Sequence, residues 1–269
     1  MQLVGNYHSH FVSHIDAMQD DHLLYNVMQY CDDGDLYGVT MSEINSNGRV
    51  DECRARTWFR QLLLALHHLQ LKGVCHRDLS LENIMVHKKC IRITDFGLAL
   101  RVPFKSNHAD GNTRYVTDVS EGSSRLLMTA QGQGANRSYM SPEVLAQEKS
   151  FDGFAHDLWA AGVILYVLLV GHKPFHLAHK SDTQFLQLAE NESLKESLIY
   201  WGINLSDDAC DLLQKMLRRS PGQRLTLVQL MQHPWVRDIK TESLPDKNES
   251  TKDNNNIKAG KPKWFQKKK

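Results

Sequence analysis

The sequence predicts an α+β fold, mainly helical, with one short β-hairpin near its start. Three observations carry that expectation. Residues 11–31 hold two apolar-alternating runs separated by Gln19-Asp20-Asp21-His22, the pattern of a hairpin. Residues 50–71 repeat apolar side chains at helical spacing: Ala55, Trp58, Phe59, Leu62, Leu63, Leu66 and Leu69. Residues 157–170 are apolar on all sides, as a helix buried in a core must be.

The remaining elements follow in order. After the hairpin, Cys31-Asp32-Asp33-Gly34-Asp35 interrupts regular structure. Gly73 stops the 50–71 helix. From residue 74 to 99, short β-branched strands alternate with polar turns. Residues 100–135 are rich in Ser, Thr, Gly, Asn and Gln, the composition of a long exposed loop. Past residue 142 the chain turns helical again. Segment 206–218 is amphipathic, with Ser206 as N-cap and Asp207 and Asp208 in its first turn. After Arg237 the apolar pattern is lost. Residues 238–269 read as a disordered tail whose last twelve residues include six lysines, most simply a solvated run.

Composition narrows the function classes. The chain has 269 residues, 41% apolar and 23% charged, enough for a sizeable core. A net charge of +1 gives no general attraction to nucleic acid or to an anionic membrane. The five cysteines (Cys31, Cys53, Cys75, Cys90, Cys210) show no C-x-x-C pair, which suits free thiols in a reducing compartment. None of the fourteen histidines has a metal-ligand spacing such as H-E-x-x-H. MQLVGNYHSH lacks the basic region and apolar run of a signal peptide. The apolar stretch from Leu158 to Val170, about 13 residues, is too short to span a bilayer. These features lead one to expect a cytoplasmic or nuclear monomer without a membrane span and without nucleic acid as a partner.

Two strings carry the chemistry. The first is His76-Arg77-Asp78-Leu79-Ser80-Leu81-Glu82-Asn83, and the second, twelve residues on, is Asp95-Phe96-Gly97. In this order and beside predicted strands, they resemble the H-R-D-L-x-x-x-N catalytic loop and D-F-G metal loop of protein kinases. The resemblance implies a protein-kinase-like fold, chiefly its α-helical C-terminal lobe with a remnant hairpin of the small lobe. It divides the chain into a small-lobe remnant at 1–30, a large lobe at 31–237 and the tail at 238–269. It implies transfer of the ATP γ-phosphate to Ser or Thr hydroxyls of a protein substrate, with Mg²⁺. Asp78 then handles the substrate hydroxyl proton, while Asn83 and Asp95 ligate the metal.

The rest of the chain fits the family in order. Ser141-Pro142-Glu143 is similar to the A-P-E triplet. Asp157-Leu158-Trp159-Ala160-Ala161-Gly162 resembles the start of the buried central helix, whose Asp anchors the catalytic loop. Arg224 matches the arginine that pairs with the Glu of A-P-E, here Glu143. His233-Pro234-Trp235 resembles the domain ending of calcium/calmodulin-type serine/threonine kinases. Val27-Met28-Gln29-Tyr30-Cys31 is similar to the hinge, with Met28 as gatekeeper and backbone hydrogen bonds from Gln29 and Cys31 to adenine. Asp35 falls where an acidic residue contacts the ribose or a basic substrate side chain, and Met85 forms the floor under adenine. Core filling is the plainer reading of Met28 and Met85. Arg77 implies a phosphate-binding role toward the 95–143 segment, which offers Thr113, Thr117, Ser120, Ser123, Ser124 and Thr129.

The pattern also has losses. No G-x-G-x-x-G loop, V-A-I-K strand or paired Glu precedes the catalytic loop, and the resemblance would put that Glu just before residue 1. Two expectations follow: an N-terminally incomplete chain of an active kinase, which we favour, or a non-catalytic pseudokinase scaffold. Ser80 stands where serine/threonine kinases carry Lys, and Asn136 where they often carry Thr, so the usual brace on the catalytic Asp is absent. His14 stands where an apolar residue completes an internal packing column; a partly solvated hairpin histidine is the simpler reading.

Overall fold

A computed structural model describes residues 8–103, 127–128, 136–147 and 150–237. Strands β1 (His14–Gln19) and β2 (Leu24–Met28) pair antiparallel, with Met18 opposite Tyr25. Asp20 shapes their turn by accepting the N–H groups of His22 and Leu23 at 2.8 and 2.7 Å. The segment before β1 ties the hairpin down: Val12 N–H donates to Ile93 O at 3.0 Å and Ile93 N–H to His10 O at 2.9 Å.

Helix α1 (Leu36–Asn47) occupies a stretch that periodicity had not marked as helical. Among its residues only Leu36 and Thr40 are buried, so no apolar stripe announces it. Its ends do: Asp35 caps the Gly38 N–H at 2.7 Å, and Gly48 closes it at φ 77°. Helix α2 (Glu52–Leu71) is capped by Asp51 and buries all seven of the spaced apolar residues. Gly73, at φ 65°, turns the chain out of it.

Two short ladders then set up the site. β3 (Val74–Cys75) pairs with β6 (Leu100–Arg101), and β4 (Ile84–His87) with β5 (Cys90–Ile93). Burial alternates along β4 and β5, so Ile84, Val86, Ile91 and Ile93 face the core. Lys88 and Lys89, both at positive φ (51° and 65°), make the two-residue turn between them.

After α3 (Pro142–Leu145) comes α4 (Gly153–Val170), with every residue buried. At 18 residues it is longer than the apolar run read from the sequence, and by length and composition alone it could cross a membrane. Its whole length is enclosed by protein. Helix α5 (Thr183–Phe185) runs into a π-helical turn at Leu186–Glu190, followed by α6 (Leu194–Tyr200) and α7 (Asp207–Met216). Ser206 caps α7 through the Ala209 N–H. Glycine lets α4 and α7 approach closely, since a Cβ on Gly162 would lie 3.1 Å from Met216 Cβ. A 3₁₀ turn (Pro221–Gln223), α8 (Leu227–Gln232) and α9 (Pro234–Arg237) complete this part. The tail at 238–269 and the candidate phosphorylation residues Thr113, Thr117, Ser120, Ser123, Ser124 and Thr129 lie outside the described residues.

Candidate active site

The β4–β5 ladder ends with Ile84 opposite Ile93, so Asn83 and Thr94 leave it side by side. Thr94 N–H donates to Asn83 O at 3.0 Å, which brings Asp95 alongside Asn83. The Asn83 amide nitrogen donates to Asp78 O at 2.8 Å and to Asp78 Oδ2 at 3.0 Å. That bonding assigns the amide orientation and leaves Asn83 Oδ1 as an acceptor for something else. The second oxygen of Asp78, Oδ1, accepts the backbone N–H of Asn136 at 3.1 Å. Asp95 sits in the left-handed region (φ 57°) and accepts Gly97 N–H at 3.1 Å.

The N-terminal part of α4 holds this loop. The buried Asp157 carboxylate accepts the N–H groups of His76 and Arg77 at 2.7 and 2.8 Å. Burial pushes its carboxyl up to about 7, against the lowering effect of those two bonds. The grip has a purpose, because Arg77 is at φ 69°, a conformation costing about 1–3 kcal/mol that surroundings must impose. His76, wholly buried, is held below the usual imidazole range by that burial. Its Nε2–H donates to Thr94 O at 3.0 Å, so Nδ1 is free to accept Asp78 N–H at 3.3 Å. Its ring meets Phe96 edge-on at 4.9 Å, and Phe96 in turn meets Phe11 at 5.7 Å.

The other sequence-derived residues fall as follows. The Arg77 guanidinium donates to Leu98 O at 3.3 Å and lies 5.8 Å from the Phe151 ring. Met28 is 39% exposed at the end of β2, and His14, half-buried, pairs opposite it. Gln29 N–H is taken by Ser13 O at 2.9 Å, and Gln29 Oε1 accepts from Arg92 at 3.0 Å. Among the described residues, neither the Gln29 carbonyl nor the Cys31 N–H has a hydrogen-bond partner. The Cys31 side chain is buried, which raises its thiol pKa. Asp35 forms a bridge pair with Met85, so the two lie side by side, while one carboxylate oxygen of Asp35 is spent on capping α1.

Glu143 and Arg224 meet in a bidentate pair at 2.8 and 2.6 Å, with side chains 3% and 2% exposed. Burial alone would raise the Glu143 carboxyl, but the hydrogen bonds and charge of Arg224 outweigh it and hold the pKa low. Arg224 also donates to the carbonyls of Arg218, Arg219 and Ala155 and stacks over Trp159 at 4.7 Å.

Sequence reasoning missed two features. Ser80 and Asn136 replace the usual side-chain brace on Asp78, yet the Asn136 backbone still braces it, and Ser80 Oγ accepts Asn83 N–H at 3.3 Å. A backbone amide has no residue-type signature, so nothing in the sequence marked it. The second is His156, buried between Ser141 and Arg77. Only its place beside Asp157 could have drawn notice.

Among the described residues no group of three or more His, Cys, Asp or Glu could hold a metal ion. Asn83 Oδ1 and the Asp95 carboxylate instead offer two neighbouring hard oxygen donors. Such a sparse set suits Mg²⁺, which completes its shell with waters and phosphate oxygens.

Comparison with known proteins bears on this geometry. A family model described as protein kinase domain matches residues 1–236. The chain is 34% identical over 237 residues to serine/threonine-protein kinase kin-29 of Caenorhabditis elegans, covering 85% of this chain and 24% of that one. It is 30% identical over 234 residues to serine/threonine-protein kinase DCLK3 of Mus musculus, covering 85% and 26%. CBL-interacting protein kinase 9 of Oryza sativa subsp. japonica is 31% identical over 232 residues, covering 86% and 44%. The matched region spans about a quarter of the length of the first two of these relatives.

Proposed function

This chain belongs to the protein kinase family, and we propose that it serves the transfer of the ATP γ-phosphate to Ser or Thr hydroxyls of protein substrates, with Mg²⁺. One observation carries the reading: both oxygens of Asp78 are fixed, by Asn83 and by the Asn136 N–H, with Asp95 alongside. Phosphoryl transfer asks a protein mainly for positioning and charge neutralisation. ATP with Mg²⁺ supplies the activated phosphoryl group. Asp78 orients the substrate hydroxyl and accepts its proton, and Asn83 Oδ1 and Asp95 hold the metal. The Gln29 carbonyl and Cys31 N–H pair with the adenine edge, with Met28 behind it, Met85 beneath and Asp35 at the ribose side. The kinase names of the relatives support Ser/Thr as the acceptor. The division at residues 30 and 237, a monomeric state and a cytoplasmic or nuclear setting belong to the same proposal.

The test is transfer of label from γ-labelled ATP to a Ser/Thr peptide library by the wild-type protein and by Asp95→Ala. Label on Ser or Thr that disappears in the variant is expected. Equal labelling in both proteins, or labelling of Tyr alone, would sink the reading.

A further inference from the structure

Asp157 holds Arg77 by its N–H, and the neighbouring side chain holds the same residue by its carbonyl. His156 Nε2 lies 3.3 Å from Arg77 O, and His156 Nδ1 lies 2.8 Å from Ser141 Oγ. Ser141 is fully buried and His156 is 3% exposed, so neither polar group has water as a substitute partner. A carbonyl oxygen can only accept, which requires the hydrogen on Nε2. Nδ1 is then the acceptor, and the Ser141 hydroxyl donates to it in competition with the Glu143 carboxylate, its second acceptor. Two hydrogen bonds through one ring thus join the segment that runs into α3 to the residue preceding Asp78.

We propose that His156, acting with Ser141, is a positioning residue for Asp78: its neutral Nε2–H tautomer locks the Arg77 carbonyl and couples the 136–147 segment to the catalytic loop. Arg77 occupies a left-handed conformation, so its peptide groups must be held from outside. Asp157 fixes one side of that residue. Without a donor on its carbonyl, the peptide between Arg77 and Asp78 is left with the 3.3 Å bond from Asp78 N–H to His76 Nδ1, a looser hold that lets the carboxylate drift from Asn83 and Asn136. The ring's surroundings keep it neutral. Burial lowers it to about 4, and the charges of Arg224 and Arg77 act in the same direction; the Glu143 charge and the hydrogen bond to Arg77 O oppose them. Phe151 meets the ring edge-on at 6.0 Å.

The inference rests on the phosphotransfer reading, and its test separates the two. Nitrogen-15 NMR of the wild-type chain should show His156 as the Nε2–H tautomer and unprotonated at pH 6, with tautomer mixing in Ser141→Ala. A Nδ1–H tautomer, or protonation near the ordinary histidine value, overturns the bridge. In peptide phosphorylation, His156→Ala should lower kcat about ten- to a hundredfold, the scale of a misplaced catalytic group. KM for ATP should stay within about twofold, because nucleotide contacts are untouched. His156→Gln, which keeps one donor and one acceptor, should recover most of the loss. Undiminished kcat with only a lower Tm makes His156 merely structural and overturns the proposal. If the wild type phosphorylates nothing, the activity reading fails, and the amide resonances of Arg77 and Asp78 decide. Shifts in His156→Ala that return in His156→Gln support the coupling, and unmoved resonances refute it. Should His156→Ala fail to fold, Ser141→Ala carries the same comparison.

Discussion

Both oxygens of Asp78 are engaged, and each partner answers to a different part of the chain. Asn83 belongs to the loop leading into β4, whereas Asn136 belongs to the segment leading into α3. The carboxylate is therefore competent only when both segments are in place. Asp78→Asn puts an amide where two donors point, so one of those contacts becomes donor against donor, and the proton acceptor is lost. In a phosphorylation assay the expected result is a kcat lower by about two to four orders of magnitude, the usual worth of a general base. KM for ATP should change little, since Asp78 has no assigned nucleotide contact. Turnover persisting in Asp78→Asn would remove it from the reaction. At this scale the sequence was legible where the candidate site is built from side chains at fixed spacing, as in Asp78, Asn83 and Asp95, which lie on one loop and the strand end beside it. It was silent where a contact on the loop comes from a backbone amide, as at Asn136, or from a ring whose partners are distant in sequence, as at His156.

Among the elements, the helix ends decide more than the helix middles. α1 and α4 both close on left-handed glycines, Gly48 and Gly171, and those two residues touch. A Cβ on Gly171 would lie 2.2 Å from Gly48 O, with φ already at 90°. Gly171→Ala should therefore cost more than the about 1–2 kcal/mol of a left-handed residue alone. A Tm drop larger than that of Gly202→Ala, which is also left-handed (φ 72°) but where a Cβ meets open space, is the result to look for. Equal drops would mean that the two chain turns do not touch. The Glu143–Arg224 pair fastens α3 to the chain beyond the 3₁₀ turn in a similar way. Removing Arg224 leaves a buried carboxylate without its partner, for an expected loss of about 3–5 kcal/mol. An unfolding free energy unchanged in Arg224→Ala would show that the pair is not formed. Elements marked by an apolar period, α2 and α7, or by a continuous apolar run, α4, could be read in advance. α1 could not, because Asp35 and Gly48 define it while most of its surface faces water.

At the scale of the whole molecule, α4 is the axis on which the site is mounted, and its N-terminal part carries two adjacent buried groups with opposite proton preferences. His156 is held down to about 4, below its unfolded value, so the fold favours its neutral form. Its contribution is complete above the unfolded histidine value of about 6.5 and is lost as pH falls toward 4. Asp157 is pushed up to about 7, above its unfolded value, so the fold favours the protonated form. Its contribution is complete below the unfolded aspartate value of about 3.9 and is lost as pH rises toward 7. The two should be separable by urea unfolding at pH 8, 7, 6 and 5. The stability difference between wild type and His156→Gln should shrink as pH drops from 6.5, because only the wild type must then resist protonating a buried ring. The difference between wild type and Asp157→Asn should run the other way, moving in favour of the wild type as pH drops from 7, since only Asp157 can shed its buried charge by taking up a proton. Each pH unit of unequal titration is worth up to about 1.4 kcal/mol, which is large against the scatter of such measurements. Parallel pH curves for all three proteins would mean that neither group differs between the folded and unfolded chain, and that the N-terminal part of α4 is open to water.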